Sequence, residues 1–517
     1  MTLVRRSTTL GLGVFGVSLA VLLVRFLVPR PVSMSDNGDG FRVLCGAGIK
    51  RISKPEKYVH LVYEATPGGC DPTYQLSQSW LARLAVAFGA RSELSLVVLG
   101  VISSVVAAAA VAAVVAGLPY RLRVRLSVAV GLLLVVADSA FFGYFSSTLG
   151  EGTAFLGLLL AVGGLLLMGR RWLRVGAAVT IVGGLMAVNA KVQTLMVLPL
   201  LIIAVLLVTR SRWLPGVLVV LALAGGTWWA QAAVTPAVAP DGTASARPGD
   251  DSREINMVNT VFLNIVDGHH DTTADLASLG LPPSFGQYAA NGWWHPHPVT
   301  LDPQYAQYRD RLSRRNVVKW FATHPDRTLG VLHRAAGDLL AARPPYLASF
   351  DASAGLTPAA QEYRVPLWSG LTGLLAHLGL FALVPVWLLV GWRAWRHRRA
   401  ALGVALALLL TSAVGQFVVA ALGDGIENVK HQVVALFCTL VAVVLGCCPA
   451  VAKVPERRVS CRRSRCVATR NLRSRSLAVW LTSCTRPCWL PRGRCSGCWT
   501  TASASRARST CRRAAGR

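Results

Sequence analysis

What most restricts this chain is its succession of long apolar runs. A helix that crosses a bilayer needs about 20 predominantly apolar residues. Ten segments reach or approach that length, centred near Leu19, Val106, Leu134, Leu160, Val182, Leu201, Val220, Leu380, Leu408 and Val441. Those around Leu134 and Val182 are the shortest. Only 15% of the 517 residues are charged, against about 25% in a typical soluble domain. That excludes a soluble enzyme and, for most of the chain, the disordered, collagen-like and small disulfide-scaffold classes. The expected fold is an all-α polytopic membrane protein with about ten transmembrane helices. The first run follows Arg5 and Arg6, and no small-residue cleavage site precedes Pro31, so it reads as an uncleaved helix rather than a signal peptide.

Sidedness follows from the basic residues in the short loops. Arg121, Arg123 and Arg125; Arg170, Arg171 and Arg174; Arg210 and Arg212; and Arg393, Arg396, Arg398 and Arg399 all fall on one side over ten crossings, in loops free of Asp and Glu. The opposite short loops hold only Lys191 and Lys430. The N-terminus is therefore expected in the cytoplasm, and nearly every residue able to do chemistry is expected on the outer face.

Four regions follow. Residues 1–235 form an N-terminal membrane module with a first extracytoplasmic loop (30–93). Residues 236–365 form a large extracytoplasmic loop, linker-like from Ala239 to Asp251 and partly helical beyond, with Val317, Trp320, Phe321, Leu329, Leu332 and Leu339 at helical spacing around Pro325. Residues 366–450 carry the last membrane helices. Residues 451–517 are a basic tail. Seventeen Lys and Arg face the single acid Glu456 over 453–517, which also holds seven of the twelve cysteines. With no periodicity, and a lone Cys495–Cys498 CxxC, it reads as a disordered cytoplasmic tail or an out-of-frame stretch. In the first loop, Leu76, Trp80, Leu84 and Phe88 recur every four residues, the stripe of a helix lying in the membrane interface. Cys45 and Cys70 share that loop, as a disulfide or as two thiols.

The candidate groups sit between the runs. Asp36 and Asp39 flank the turn signal Asn37-Gly38, and a tight turn can aim both carboxylates at one point; taken alone, a solvated acidic turn is the commoner explanation. A carboxylate at the membrane surface can take the proton of a sugar hydroxyl. Glu151 opens the fourth run, where it also suits the helix dipole. Lys191 with Gln193, and Lys430 with His431 beside Asp424 and Glu427, suit a phosphate; snorkelling explains each lysine taken singly. His269, His270, His295 and His297 match no specific ligand spacing, so a divalent metal stays an alternative and no metal ligand is assigned. Trp293 and Trp294 can stack on a sugar or anchor the loop.

The order Asp36-Asn37-Gly38-Asp39-Gly40-Phe41-Arg42, Tyr144-Phe145 through Glu151, Lys191-Val192-Gln193, Leu279-Gly280-Leu281-Pro282, His324-Pro325, Arg343-Pro344-Pro345-Tyr346-Leu347, Leu367-Trp368-Ser369 and Asp424 to His431 resembles bacterial membrane hexosyltransferases of the GT-C superfamily, of the WsfD glycan-biosynthesis type. The resemblance covers roughly residues 8–450. Ser146 and Ser147 stand where relatives commonly carry Asn after Tyr-Phe.

The resemblance implies GT-C-like architecture in a bacterial plasma membrane, with an extracytoplasmic active site. It implies an inverting transferase that moves a hexose from a polyprenyl-phosphate donor to a glycan or glycolipid acceptor. Asp36 or Asp39 would be the base, Arg42, Lys191, Lys430 and His431 the phosphate ligands, and Tyr144, Glu151, Gln193, Asp424 and Glu427 supporting groups. Trp293 and Trp294 would meet the acceptor. Membrane lipids are expected partners and nucleic acid is not. A polysaccharide polymerase or ligase acting on lipid-linked glycans is the alternative. A secondary transporter fits less well, because the runs contain few charges (Arg25, Asp138 and His377) and no repeated pair of broken helices.

Overall fold

The computed structural model describes residues 2–49, 56–64, 76–89, 93–170, 172–232 and 250–449. Cys70, the linker from 239 to 249 and the basic tail with Cys495 and Cys498 lie outside the described residues. Cys45 is disulfide-bonded.

The chain is a helical membrane protein. Among the described residues six helices are long and apolar enough to cross a membrane: Thr9–Leu27, Leu96–Gly117, Glu151–Met168, Val192–Thr209, Trp213–Ala232 and Ala401–Gly423. A bent pair, Leu367–Leu378 with Leu380–Arg396, makes a seventh if counted as one span. Ten are expected from hydropathy. The remaining apolar helices are Leu122–Val136, Leu173–Val188 and Val433–Gly446, of 15, 16 and 14 residues. At 1.5 Å per residue they extend about 21–24 Å, short of a hydrocarbon core of about 30 Å.

The bent pair departs from the single span centred on Leu380. Its two helices meet at 119°, and the break is Gly379, at φ 51°. A Cβ there would lie 2.7 Å from the His333 carbonyl oxygen, so a residue without a side chain suits the corner. On the first helix Leu367, Leu371, Leu374 and Leu378 are exposed while Ser369 and Thr372 are buried. The first helix thus has an apolar outer face and a polar inner one. Asp138 caps it, its Oδ2 accepting from the Trp368 and Ser369 N–H groups at 2.7 and 3.1 Å. Arg25, at the end of the first helix, pairs with buried Glu362. These two charges of the apolar runs are thus structural clamps.

Helix Glu151–Met168 is buried along its whole length and packs against Leu96–Gly117, Leu173–Val188 and Val433–Gly446. Lipid tails are as apolar as leucine, so close approach of small residues replaces hydrophobic exclusion as the cohesive force. Glycines carry it. A Cβ on Gly157 would lie 2.3 Å from the Ala187 amide nitrogen, and one on Gly183 would lie 2.5 Å from that of Ala161. Near the start of this helix Phe155 stacks on Phe437 at 4.7 Å and meets Phe141 and Tyr144 edge-on at 5.4 and 5.6 Å. The result is a rigid aromatic floor.

The helix expected over Leu76–Phe88 is present as Ser77–Phe88, with Leu84 exposed on its outer side and a polar first turn on its inner side. Leu76 is buried, and Ser77, Gln78 and Ser79 point into the protein. There Ser77 Oγ donates to the Met186 carbonyl at 2.7 Å and Gln78 Nε2 to that of Ser147 at 3.0 Å. Phe88 is exposed. The two strands among the described residues, Val62–Glu64 and Glu93–Ser95, pair antiparallel. Residues 257–331 form their own small core around Phe262, Phe285 and Trp320, while Ala335, Leu339 and Leu347 join the main core. The helices Arg314–Thr323 and Pro325–Ala341 are separated by Pro325 at the first position of the second.

Candidate functional site

Above the aromatic floor, loops far apart in sequence meet. The first is the turn after the opening helix. Asp36 Oδ1 accepts from the N–H groups of Gly38 and Gly40, both at 2.8 Å. Gly38 takes φ 103°, a conformation that favours glycine. A Cβ on Gly40 would lie 2.2 Å from Thr148 Oγ1. The turn does not aim both carboxylates at one point. Asp36 is 1% exposed and directed inward, with Oδ2 lacking a hydrogen-bond partner. Burial raises its carboxyl above the usual value, against the two backbone donors.

Asp39 faces the opposite way, its side chain 42% exposed. Oδ1 is 3.0 Å from Arg42 Nη1, and Oδ2 pairs with Lys430 Nζ. Partial burial would raise its carboxyl, but Lys430, Lys191 and Arg42 outweigh that and hold it well below the usual range. Lys430 is fully buried and also reaches Glu427 Oε2 at 3.2 Å. Asn37 Nδ2 donates to both Glu427 oxygens at 2.9 Å. Glu427 itself holds φ 55°, a strained region for a non-glycine residue.

Glu151, 1% exposed, opens the buried central helix and pairs with Lys191 Nζ at 2.6 Å. Gln193 Nε2 donates to Gln416 Oε1 at 2.8 Å and to the His431 carbonyl at 3.0 Å. His431 Nε2 lies 3.5 Å from Asp424 Oδ2. Burial raises the Asp424 carboxyl to about 6, opposed by the Ile426 N–H and Asn259. Tyr144 is fully buried, in the field of Glu151, Tyr346 and Glu427. Its hydroxyl has no hydrogen-bond partner.

Eleven of the sequence candidates therefore converge: Asp36, Asp39, Arg42, Tyr144, Glu151, Lys191, Gln193, Asp424, Glu427, Lys430 and His431. Trp293 and Trp294 lie on the rim, Trp294 being 70% exposed. His270 turns to Asp267 at 3.0 Å, and the His295 and His297 rings are 6.3 Å apart. Among the described residues no group of three or more His, Cys, Asp or Glu is placed to hold a metal ion.

Four contributors escape the sequence reading. Gln416 is a lone amide in an apolar run, and its Nε2 returns a bond to the Gln193 carbonyl at 3.0 Å. Glu56 lies behind the turn, its side chain 8% exposed and its N–H donating to the Asp36 carbonyl at 2.8 Å. Asn259 and Asn264 interrupt the apolar run Met257–Val266. They reach Asp424 and the Ala421 carbonyl, and the π-helix Thr260–Ile265 explains how. Residues five apart on an α-helix point about 140° apart, whereas the i→i+5 ladder of a π-helix brings them towards one face.

No curated protein and no solved structure matches the chain. Residues 2–465 match the model of the YfdI N-terminal transmembrane domain. The glycine-packed membrane helices and the loop cluster above them thus fall within one family: the chain belongs to the YfdI N-terminal transmembrane domain family, a GT-C-like glycosyltransferase family.

Proposed function

We propose that the chain moves a hexose from a polyprenyl-phosphate donor to a glycan or glycolipid acceptor on the outer face of the bacterial plasma membrane, with inversion at the anomeric carbon. The observation that carries this reading is Asp39, a solvent-reaching carboxylate beside Lys430 and Arg42 and in the field of Lys191. Base and cations are the two things such a transfer needs.

Asp39 accepts the acceptor hydroxyl proton. The acceptor oxygen bonds to the anomeric carbon while the bond from that carbon to the phosphate oxygen breaks. Its electron pair leaves on the polyprenyl phosphate, a stable anion that needs no general acid. Lys430, Arg42 and Lys191 stabilise that developing charge, with His431 beside them. Without donor these cations are occupied by Asp39, Glu427 and Glu151. A bound phosphate competes for them, so Asp39 loses its partners and its basicity rises when it is needed. Tyr144 belongs to the buried floor beneath these groups, its hydroxyl unpartnered. Asp36 shapes the turn, Gln193 fixes Lys191 relative to His431, and Trp293 and Trp294 offer an aromatic rim for the acceptor.

The test mixes purified protein with synthetic polyprenyl-phosphate glucose, mannose and galactose and measures release of lipid phosphate. Wild type should release it from one of them, and Asp39→Asn should lower the rate by about 100-fold or more, within the range of general-base catalysis. Normal turnover by Asp39→Asn would remove the assigned base.

A further inference from the structure

The helix Asp250–Asn259 ends in a residue with an unusual pair of partners. Asn259 is fully buried at the end of helix Asp250–Asn259. Its Oδ1 accepts the Trp293 N–H at 2.8 Å, and its Nδ2 donates to Asp424 Oδ1 at 3.4 Å. Both approaching backbones are pared down to reach it. A Cβ on Gly425 would lie 2.6 Å from the Asn259 carbonyl oxygen, and one on Gly292 would lie 2.9 Å from Oδ1. Asp424 Oδ2 in turn faces His431, while the turn it opens brings Lys430 to Asp39 and Glu427 to Lys430.

We propose that Asn259 is an acceptor-positioning residue, a buried amide that sets the spacing between the Trp293–Trp294 rim and the Asp424–Lys430 turn. This rests on the transferase reading of the site. The chemistry is selective. The Trp293 N–H demands an acceptor and the Asp424 carboxylate demands a donor, and an amide supplies both from one fork. A carboxylate in its place would repel Asp424, and an apolar isostere would strand both partners. The amide bonds the rim directly and touches the phosphate side only through Asp424, while Lys430 keeps its own partners Asp39 and Glu427, so its loss should weaken acceptor use more than donor use.

The experiment uses the full chain with the polyprenyl-phosphate hexose that wild type turns over. Transfer to an alkyl glucoside is measured beside slow hydrolysis of the same donor by water. Asn259→Leu should raise the KM for the glucoside by about 10- to 100-fold, the loss of one or two buried hydrogen bonds. Donor KM and hydrolysis should change less. Asn259→Asp should be impaired at pH 8, where two carboxylates oppose each other, and recover relative to wild type near pH 5, where Asp424 has itself gained a proton and the two carboxyls can share a hydrogen bond; this arm stands even if the leucine variant does not fold. If Asn259→Leu keeps the wild-type acceptor KM, or loses hydrolysis and transfer in equal proportion, Asn259 does not position the acceptor. Wild type inert towards all three donors would end the transferase reading, and this inference with it.

Discussion

Replacing Lys430 by methionine tests whether the buried ammonium holds the site together. Breaking a buried ion pair by removing one partner typically costs about 3–5 kcal/mol, because the remaining charge is left uncompensated. Here the abandoned groups are not fully enclosed. The Asp39 side chain is 42% exposed and that of Glu427 26%, so water recovers part of the loss. Arg42 also remains on Asp39, and Asn37 on Glu427. We therefore expect Lys430→Met to destabilise by about 2–3 kcal/mol. Asp39→Asn alone should cost about 1 kcal/mol, but in the Lys430→Met background it removes an unpaired anion and should cost almost nothing. The coupling energy would be about 1 kcal/mol. Reversible unfolding in mixed detergent micelles, followed by tryptophan fluorescence, measures all four corners of the cycle. Additive effects would mean that Lys430 and Asp39 do not interact, and the electrostatic account of the site would fall with them.

Three further outcomes are expected. Burial, and then Asp36, raise the Glu56 carboxyl to about 7 from 4.5. The folded state thus disfavours its charge, and the resulting stability is complete below pH 4.5 and lost as pH rises through 7. Glu56→Gln should match wild type near pH 4.5 and exceed it by about 2 kcal/mol at pH 8; parallel stability profiles would contradict this. Gly183→Ala forces a Cβ to 2.5 Å from the Ala161 nitrogen, and overpacking of this kind should cost about 1–3 kcal/mol in the same unfolding assay. For sidedness, a cysteine at Gly38 should react with an impermeant maleimide added to intact cells, and one at Trp172 only after permeabilisation; the reverse pattern would invert the topology.

The helices were legible wherever local hydropathy decides them, as in Leu96–Gly117, Glu151–Met168 and Ala401–Gly423. Legibility failed at Gly379, because one apolar run contained two helices at 119°. The cue was present in Ser369 and Thr372, whose polarity gives the first helix two faces. The site residues were legible as types in order, since polar groups between apolar runs have few places to go. Their partners were not. Asp36 and Asp39 look interchangeable in the chain, yet one caps its own turn and the other meets solvent and Lys430. Asn259 was missed because a single amide in an apolar stretch carries no periodic signal.

By itself the sequence determined that the chain enters a membrane, which stretches become helical and which charges stay outside the apolar runs. Those outcomes follow from the cost of burying unpaired polar groups, a property of each segment alone. Tertiary structure decided which charge answers which. The Asp39–Lys430 pair spans 391 positions, and Asn37–Glu427 spans 390. An ion pair depends on the distance between loop ends, and that distance is set by how closely the glycine-lined helices pack beneath them.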